Sequence, residues 1–138
     1  MKKIRRLSVS SLKKKADKIF SQYVRRFYSF PSGQCSCVTC GYSYHWKDIQ
    51  AGHYVSRSWL GLRWSMENVF PQCVRCNIFL KGNKELFALF LVRKFGANYL
   101  ELLEQKKRRI TKMSVSDYQD LISKLTDDLH SLDLRDEK

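Results

Sequence analysis

Four of the five cysteines form two pairs of identical spacing. Cys37 and Cys40 make one Cys-x-x-Cys pair, and Cys73 and Cys76 make a second, with 32 residues between the pairs. A tight turn can bring both sulfurs of a pair to one ion, and four thiolates complete the tetrahedral shell that Zn²⁺ prefers. Because such a shell leaves no position for water or substrate, the spacing predicts a structural zinc site.

The fifth cysteine, Cys35, is an alternative zinc ligand. A Cys-x-x-Cys-Gly sequence suits a metal-binding turn better than Cys-x-Cys, so we predict that Cys35 is not a ligand. Two pairs and an odd cysteine are more typical of metal binding in a reducing compartment than of a secreted disulfide framework. Residues 1–6 are basic rather than apolar, and no apolar run approaches the roughly 20 residues of a membrane span, so we expect a cytoplasmic protein.

Three polar residues beside or between the cysteine pairs could carry chemistry: His53, Asn68 and Asn77. Hydrolysis of a phosphodiester needs a base with a pKa near neutrality and a hard cation that stabilises charge on the phosphate oxygens. We predict that His53 is the base and that Asn77 gives an oxygen ligand to Mg²⁺ or Mn²⁺ from the first turn of a helix. Asn68 is predicted to orient the backbone or the imidazole through its amide.

Other roles stay open for the histidines. A lone histidine is more often structural or exposed than catalytic, and this is the alternative for His53. His45 is a candidate zinc ligand or DNA contact, although we expect neither role. His130 lies in an amphipathic segment and is expected to face solvent.

The chain carries 26 basic and 13 acidic residues, a net charge of +13. Residues 115–138 hold seven of the acidic residues and only three of the basic ones. A positive field attracts polyanions, with a membrane surface or simple solubility as the alternatives to nucleic acid. We predict DNA as the partner, bound through its phosphates and its shape rather than through its bases.

The candidate phosphate-binding side chains are Arg57, Arg63, Arg75 and Lys81. Trp59 and Trp64 stand beside the first two and are able to stack on bases, but we expect both in the core. The other two lie beside Asn77, where helix amides and cationic side chains would position a phosphate.

Two amphipathic helices are predicted near the ends of the chain. The first is capped by Ser10 or Ser11 and has an apolar stripe at helical spacing, formed by Leu12, Ala16, Ile19, Phe20, Tyr23, Val24 and Phe27. The last begins at a capping box in residues 116–119, and its stripe is formed by Leu121, Ile122, Leu125, Leu129 and Leu132. We expect the last helix to pack or to bind a partner.

The middle of the chain predicts two short strands joined by a long loop, near 47–51 and 68–71. A helix follows from Cys73 or Arg75, and residues 84–109 predict two helices with a bend at Gly96. The expected fold class is therefore α+β. Its parts are a basic tail and helix in 1–30, a zinc-bound core in 31–83 and helices in 84–138, acting as one unit.

Five blocks of sequence occur in a specific order: Ser11-Leu12-Lys13-Lys14-Lys15, Cys37-Val38-Thr39-Cys40-Gly41, Ala51-Gly52-His53-Tyr54, Gln72-Cys73-Val74-Arg75-Cys76-Asn77 and Gly82-Asn83. Through them residues 11–110 resemble the phage NinG/Rap family of recombination nucleases. The resemblance implies a small zinc-stapled ββα-metal core (HNH, treble-clef-like) flanked by helices. It also implies an endonuclease that cleaves branched recombination intermediates such as Holliday junctions.

One position departs from the wider HNH class. Many of its members have a metal-binding aspartate directly before the histidine, where this chain has Gly52. Asp48 and Glu67 are the nearest carboxylates along the chain, and either helps only if the loop folds back. Direct contact of His53 with the cation is the other possibility.

The sequence is therefore compatible with three functions. The first is a metal-dependent endonuclease for branched DNA, and the second is a junction-binding recombination mediator that does not cleave. The third is a zinc-dependent protein-interaction module that recruits a partner through its terminal helices. Those helices are also the expected contact for a homodimer or for a recombination protein.

Overall fold

A computed structural model describes residues 8–136 of the chain. The basic tail in residues 1–6 lies outside this part. The strands are β1 (Gln34–Ser36), β2 (Ser43–His45), β3 (Gln50–His53) and β4 (Val69–Gln72). The α-helices are α1 (Val9–Phe27), α2 (Leu60–Arg63), α3 (Lys84–Phe95), α4 (Tyr99–Lys106) and α5 (Val115–Asp136), and a π-helix spans Arg75–Phe79.

The strands form two separate antiparallel pairs. In the β3–β4 pair Gly52 lies opposite Phe70 and His53 opposite Val69, so the two predicted strands are present with slightly shifted ends. The β1–β2 pair was not predicted. Its strands have three residues each and are mostly exposed, so they carry almost no alternation of apolar and polar residues.

Helices α1 and α5 pack against each other and bury most of their apolar stripes in one core, although Phe27 at the end of α1 is exposed. Both predicted caps were wrong by a few residues. Ser8 caps α1, because its hydroxyl accepts a hydrogen bond from the Ser11 amide at 3.1 Å. At α5 the reciprocal pair is Ser114 and Asp117, whose side chains accept from each other's amides at 2.8 and 3.1 Å.

A second core packs the β3–β4 sheet against α3 and α4, and its buried residues include Phe70, Phe87, Leu91 and Leu103. The predicted bend between these helices is confirmed at Gly96, whose φ of 103° few other residues adopt. Helix α4 ends at Lys106 rather than at residue 109. Among the described helices, none is long and apolar enough to cross a membrane.

Candidate metal centre and basic pocket

The four paired cysteines converge on one point. The sulfurs of Cys37, Cys40, Cys73 and Cys76 all lie within 4.8 Å of one another, and those of Cys40 and Cys73 are 3.7 Å apart. A tetrahedral zinc with bonds of about 2.3 Å separates its sulfurs by about 3.8 Å. The cluster therefore has the donors and the spacing to hold a metal ion such as zinc.

Polar groups around Cys37 favour the thiolate form that a metal requires, whereas burial raises the pKa of two of the other cluster cysteines. Burial opposes ionisation of Cys37, but hydrogen bonds from the Thr39 hydroxyl and from nearby backbone amides lower its pKa to about 6. The Asn83 amide donates to the Cys76 sulfur at 3.6 Å. Such outer groups orient metal ligands and hold their charge.

Neither of the alternative ligands joins the cluster. Burial raises the pKa of Cys35 to about 11, which keeps it a thiol, and its sulfur lies outside the group of four. The His45 ring packs against Gly33, where a Cβ would lie 2.5 Å from Nε2. Its Nδ1 accepts from the Lys47 amide at 3.2 Å, so His45 is a packing residue. His130 is exposed, as predicted.

A cavity of about 790 Å³ lies between α1, β3 and the π-helix, and both His53 and Asn77 line it. Among the described residues that line it, five side chains are basic, namely Arg25, Lys47, Arg57, Lys81 and Lys84. The carboxylate of Asp17 also lines it. The cavity therefore has a strong excess of positive charge and suits an anionic ligand.

His53 is held in a defined tautomer. Its Nε2–H donates to the backbone carbonyl of Arg63 at 2.8 Å, which leaves Nδ1 free to accept a proton. Burial, followed by the charges of Arg57 and Arg63, lowers the pKa of His53, although the carbonyl and Asp17 act in the opposite direction. The neutral imidazole, which is the form a general base needs, is thus favoured.

Asn77 contacts a second side-chain amide, that of Gln50, whose role was not predicted. Its Nδ2 donates to Gln50 Oε1 at 2.8 Å, and both side chains line the cavity. The backbone amide of Asn77 is anchored on the Cys73 carbonyl at 2.9 Å. Gln50 occupies an ordinary strand position three residues before His53, and no feature of the sequence marked it as part of the site.

Asn68 does not line the cavity but shapes the loop beside it. It is fully buried, its Oδ1 accepts from the Val55 amide at 2.7 Å, and its Nδ2 donates to the carbonyls of Val55 and Leu62. That loop carries the Arg63 carbonyl on which His53 rests. Asn68 thus orients backbone, one of its two predicted roles, and its side-chain hydrogen bonds go to backbone groups rather than to the imidazole.

The Gln72 side chain packs directly over Gly52. A Cβ at this position would lie 2.0 Å from Gln72 Oε1 and 2.8 Å from its Cγ. The buried Gln72 amide donates from Nε2 to Thr39 Oγ1 at 3.2 Å and to the Gly82 carbonyl at 2.8 Å. Neither an aspartate nor any other side chain fits at position 52 while Gln72 holds this place.

The predicted phosphate ligands fall into two groups. Arg57 and Lys81 line the cavity, whereas Arg75 is exposed outside it. Arg57 lies 3.8 Å from the Asp17 carboxylate, and the Arg63 guanidinium binds both of its oxygens at 3.0 and 2.7 Å. This ion pair joins the loop to α1, and its partners are 46 residues apart.

Asp48, Glu67 and the two tryptophans do not line the cavity. Asp48 is exposed in a turn, and Glu67 pairs with Lys106 at 2.5 Å. Trp64 donates to Asp17 at 2.9 Å and packs on the core, as expected. Trp59 lies under Lys107, whose Nζ is 4.5 Å from the ring centre.

Fold and site together define a small protein of mixed helices and two short sheets, with a cysteine cluster that could hold a metal beside an open basic cavity. Residues 1–136 match the family model described as bacteriophage lambda NinG protein, and the chain belongs to this family. No curated protein and no solved structure matches the chain.

Proposed function

We propose that the protein is a metal-dependent DNA endonuclease that acts on branched DNA in phage recombination, with His53 as its general base. One observation carries the proposal: a neutral imidazole with a free Nδ1 shares a cationic cavity with the amides of Asn77 and Gln50. A base, oxygen ligands and phosphate-binding cations are the parts that phosphodiester hydrolysis needs.

The order of elements supports the same class. Strand β3 with its histidine, strand β4 and the π-helix that carries Asn77 follow one another as in a ββα-metal nuclease of the HNH type. Zinc in the cysteine cluster would fix the start of the π-helix, because Cys73 and Cys76 lie directly before Asn77. Membership of the NinG family is in keeping with a phage role.

The donors around His53 suit a hard cation whose remaining ligands are water and substrate. Asn77 and Gln50 offer neutral oxygens, and Mg²⁺ and Mn²⁺ prefer oxygen ligands. The Asp17 carboxylate is engaged by Arg63 and Trp64. When bound, the cation would stabilise charge on the phosphate and on the leaving 3′ oxygen. Without a free carboxylate, we expect it to bind together with DNA phosphates.

The protein's own groups have distinct tasks. His53 Nδ1 takes the proton from the attacking water, and the Arg63 carbonyl keeps the ring oriented. Lys81 and Arg57 bind phosphates at the cavity wall. Lys84 donates to the carbonyls of His53 and Tyr54 at 2.5 and 2.6 Å, and so holds the end of β3 in place.

The test is a nicking assay with the zinc-loaded protein. Linear, forked and four-way DNA of matched sequence are each incubated with Mg²⁺, with Mn²⁺ and without added divalent metal. Nicks that need the divalent ion and are most frequent on the branched DNA support the proposal. Tight junction binding with no nick in any metal would contradict it.

That second outcome corresponds to a non-cleaving junction-binding mediator. Gly52 favours this alternative, because the carboxylate that is common in the class is missing. The Gln72 packing weakens this alternative, because Gln72 already fills the space that a side chain at position 52 would need, and its amide is hydrogen-bonded there.

A further inference from the structure

Three consecutive exposed apolar residues adjoin the cavity along the chain. Ile78, Phe79 and Leu80 are 55, 75 and 44% exposed, and Phe79 is the most exposed large apolar side chain in the described part of the chain. They follow Asn77 and precede Lys81, and Ile78 itself lines the cavity. Exposed apolar residues that adjoin one another mark a contact surface.

The backbone under this apolar tip is fixed on both sides. On one side Cys76 belongs to the cysteine cluster. On the other side Gly82 donates from its amide to the Cys76 carbonyl at 2.9 Å and accepts from Gln72 at 2.8 Å. Lys81 and Asn83 adopt φ of 52° and 46°, a conformation that costs free energy in residues other than glycine. The tip is therefore presented at low entropic cost on binding.

We propose that Phe79, supported by Ile78, is a wedge that inserts between unstacked bases at a DNA branch point and makes the protein selective for branched DNA. Apolar side chains insert at base steps at the cost of unstacking them, and an aromatic ring recovers stacking with the exposed base. A branch point has already lost part of its stacking, whereas a linear duplex pays the full cost. Selectivity follows from this difference.

The charges around the tip favour DNA over a second copy of this chain. Lys81 adjoins the apolar residues, Arg75 begins the same π-helix, and the cavity continues the positive surface. A copy that approached through the same surface would bring like charges together, at a cost in free energy. DNA brings the opposite charge and a flat apolar face.

The test rests on the proposed DNA function but not on cleavage. Binding of a four-way junction and of a linear duplex of the same sequence is measured without added Mg²⁺ or Mn²⁺, for wild type, Phe79→Ala and Phe79→Trp. The control is Leu86→Ala, which removes an exposed apolar side chain from α3. The fluorescence of 2-aminopurine at the branch point reports local unstacking.

We expect Phe79→Ala to weaken junction binding about 10- to 100-fold, the range of stacking on one base, and duplex binding less than about twofold. Phe79→Trp and Leu86→Ala keep the preference for the junction. The 2-aminopurine signal changes when wild type binds and not when Phe79→Ala binds.

Equal weakening of binding to both DNAs would overturn the wedge. So would light scattering that shows wild type to be a dimer and Phe79→Ala to be a monomer. A junction preference that depends on Phe79, in a protein that never nicks DNA, would uphold the wedge and refute the endonuclease. Failure of wild type to bind either DNA would refute both. Zinc content and melting temperature confirm that each variant is folded.

Discussion

The cysteine cluster and the His53 cavity lie on either side of one short stretch of chain, and they differ in their ligands and in their openness to solvent. Cys76 points into a closed group of four sulfurs, while the next residue, Asn77, lines an open and strongly cationic cavity. The cluster offers soft, charged ligands and no free position, whereas the cavity offers neutral oxygens, an imidazole and room for substrate. The first arrangement can hold a fold, and the second can act on an anion.

One buried amide connects the two regions. Gln72 donates to Thr39, which contacts the Cys37 sulfur, and to the Gly82 carbonyl at the rim of the cavity. The rest of the Gln72 side chain fills the space over Gly52. Damage to the cluster should therefore reach the cavity, while a change confined to the cavity should leave the cluster intact.

The largest effect is expected from breaking the cluster. Cys73→Ser should abolish zinc binding and cooperative unfolding, because a structural zinc contributes about 10 kcal/mol, as much as the whole stability of many small proteins. Zinc content by mass spectrometry and a circular dichroism melt measure this. Cys35→Ala is the control and should keep its zinc. A Cys73→Ser protein with full zinc and an unchanged melt would contradict the structural role.

The next effect concerns the amide between the two regions. Gly52→Asp should destabilise the protein by about 3 kcal/mol, because its Cβ overlaps Gln72 and the core is overpacked. Denaturant unfolding measures the loss. Adding Gln72→Ala should recover part of it by making room. A Gly52→Asp protein that is as stable as wild type and binds Mn²⁺ more tightly would contradict the packing role of Gly52.

A smaller effect is expected on the cavity side alone. Gln50→Ala should lower the nicking rate about tenfold and raise the Mg²⁺ concentration needed, since it removes one oxygen ligand and frees the Asn77 amide. Single-turnover rates at several Mg²⁺ concentrations test this, with Gln105→Ala on α4 as the control. An unchanged Mg²⁺ requirement would exclude Gln50 from the cation site.

The smallest effect is a change in the pKa of His53. Burial and the charge of Arg57 lower this pKa, so an NMR titration of the free protein should find it below the ordinary value of about 6.5. Arg57→Gln removes a positive charge that disfavours the imidazolium, so it should move the pKa upward. The exposed Arg75 gives the matched control, Arg75→Gln. A pKa above 6.5 in wild type would contradict the partly buried, neutral imidazole.

Local spacing made the cysteine cluster and the two strands around His53 predictable, because a Cys-x-x-Cys turn and a short strand are properties of adjacent residues. The ion pair of Asp17 and Arg63 was not predictable, since it depends on how α1 packs against a distant loop. The roles of Gln50 and Gln72 were missed for the same reason. The glycine at position 52 was visible as a departure in the sequence, but its explanation depends on where the Gln72 side chain of the neighbouring strand lies.

In the proposed mechanism the His53 imidazole performs the chemistry while the cysteine cluster only supports it. The most direct test compares single-turnover nicking of a labelled four-way junction, at saturating protein and fixed Mg²⁺, by wild type, His53→Ala and His130→Ala. We predict that His53→Ala nicks at least about 100-fold more slowly, with unchanged zinc content and junction affinity, and that His130→Ala matches wild type. A His53→Ala protein that nicks the junction at close to the wild-type rate would contradict the claim.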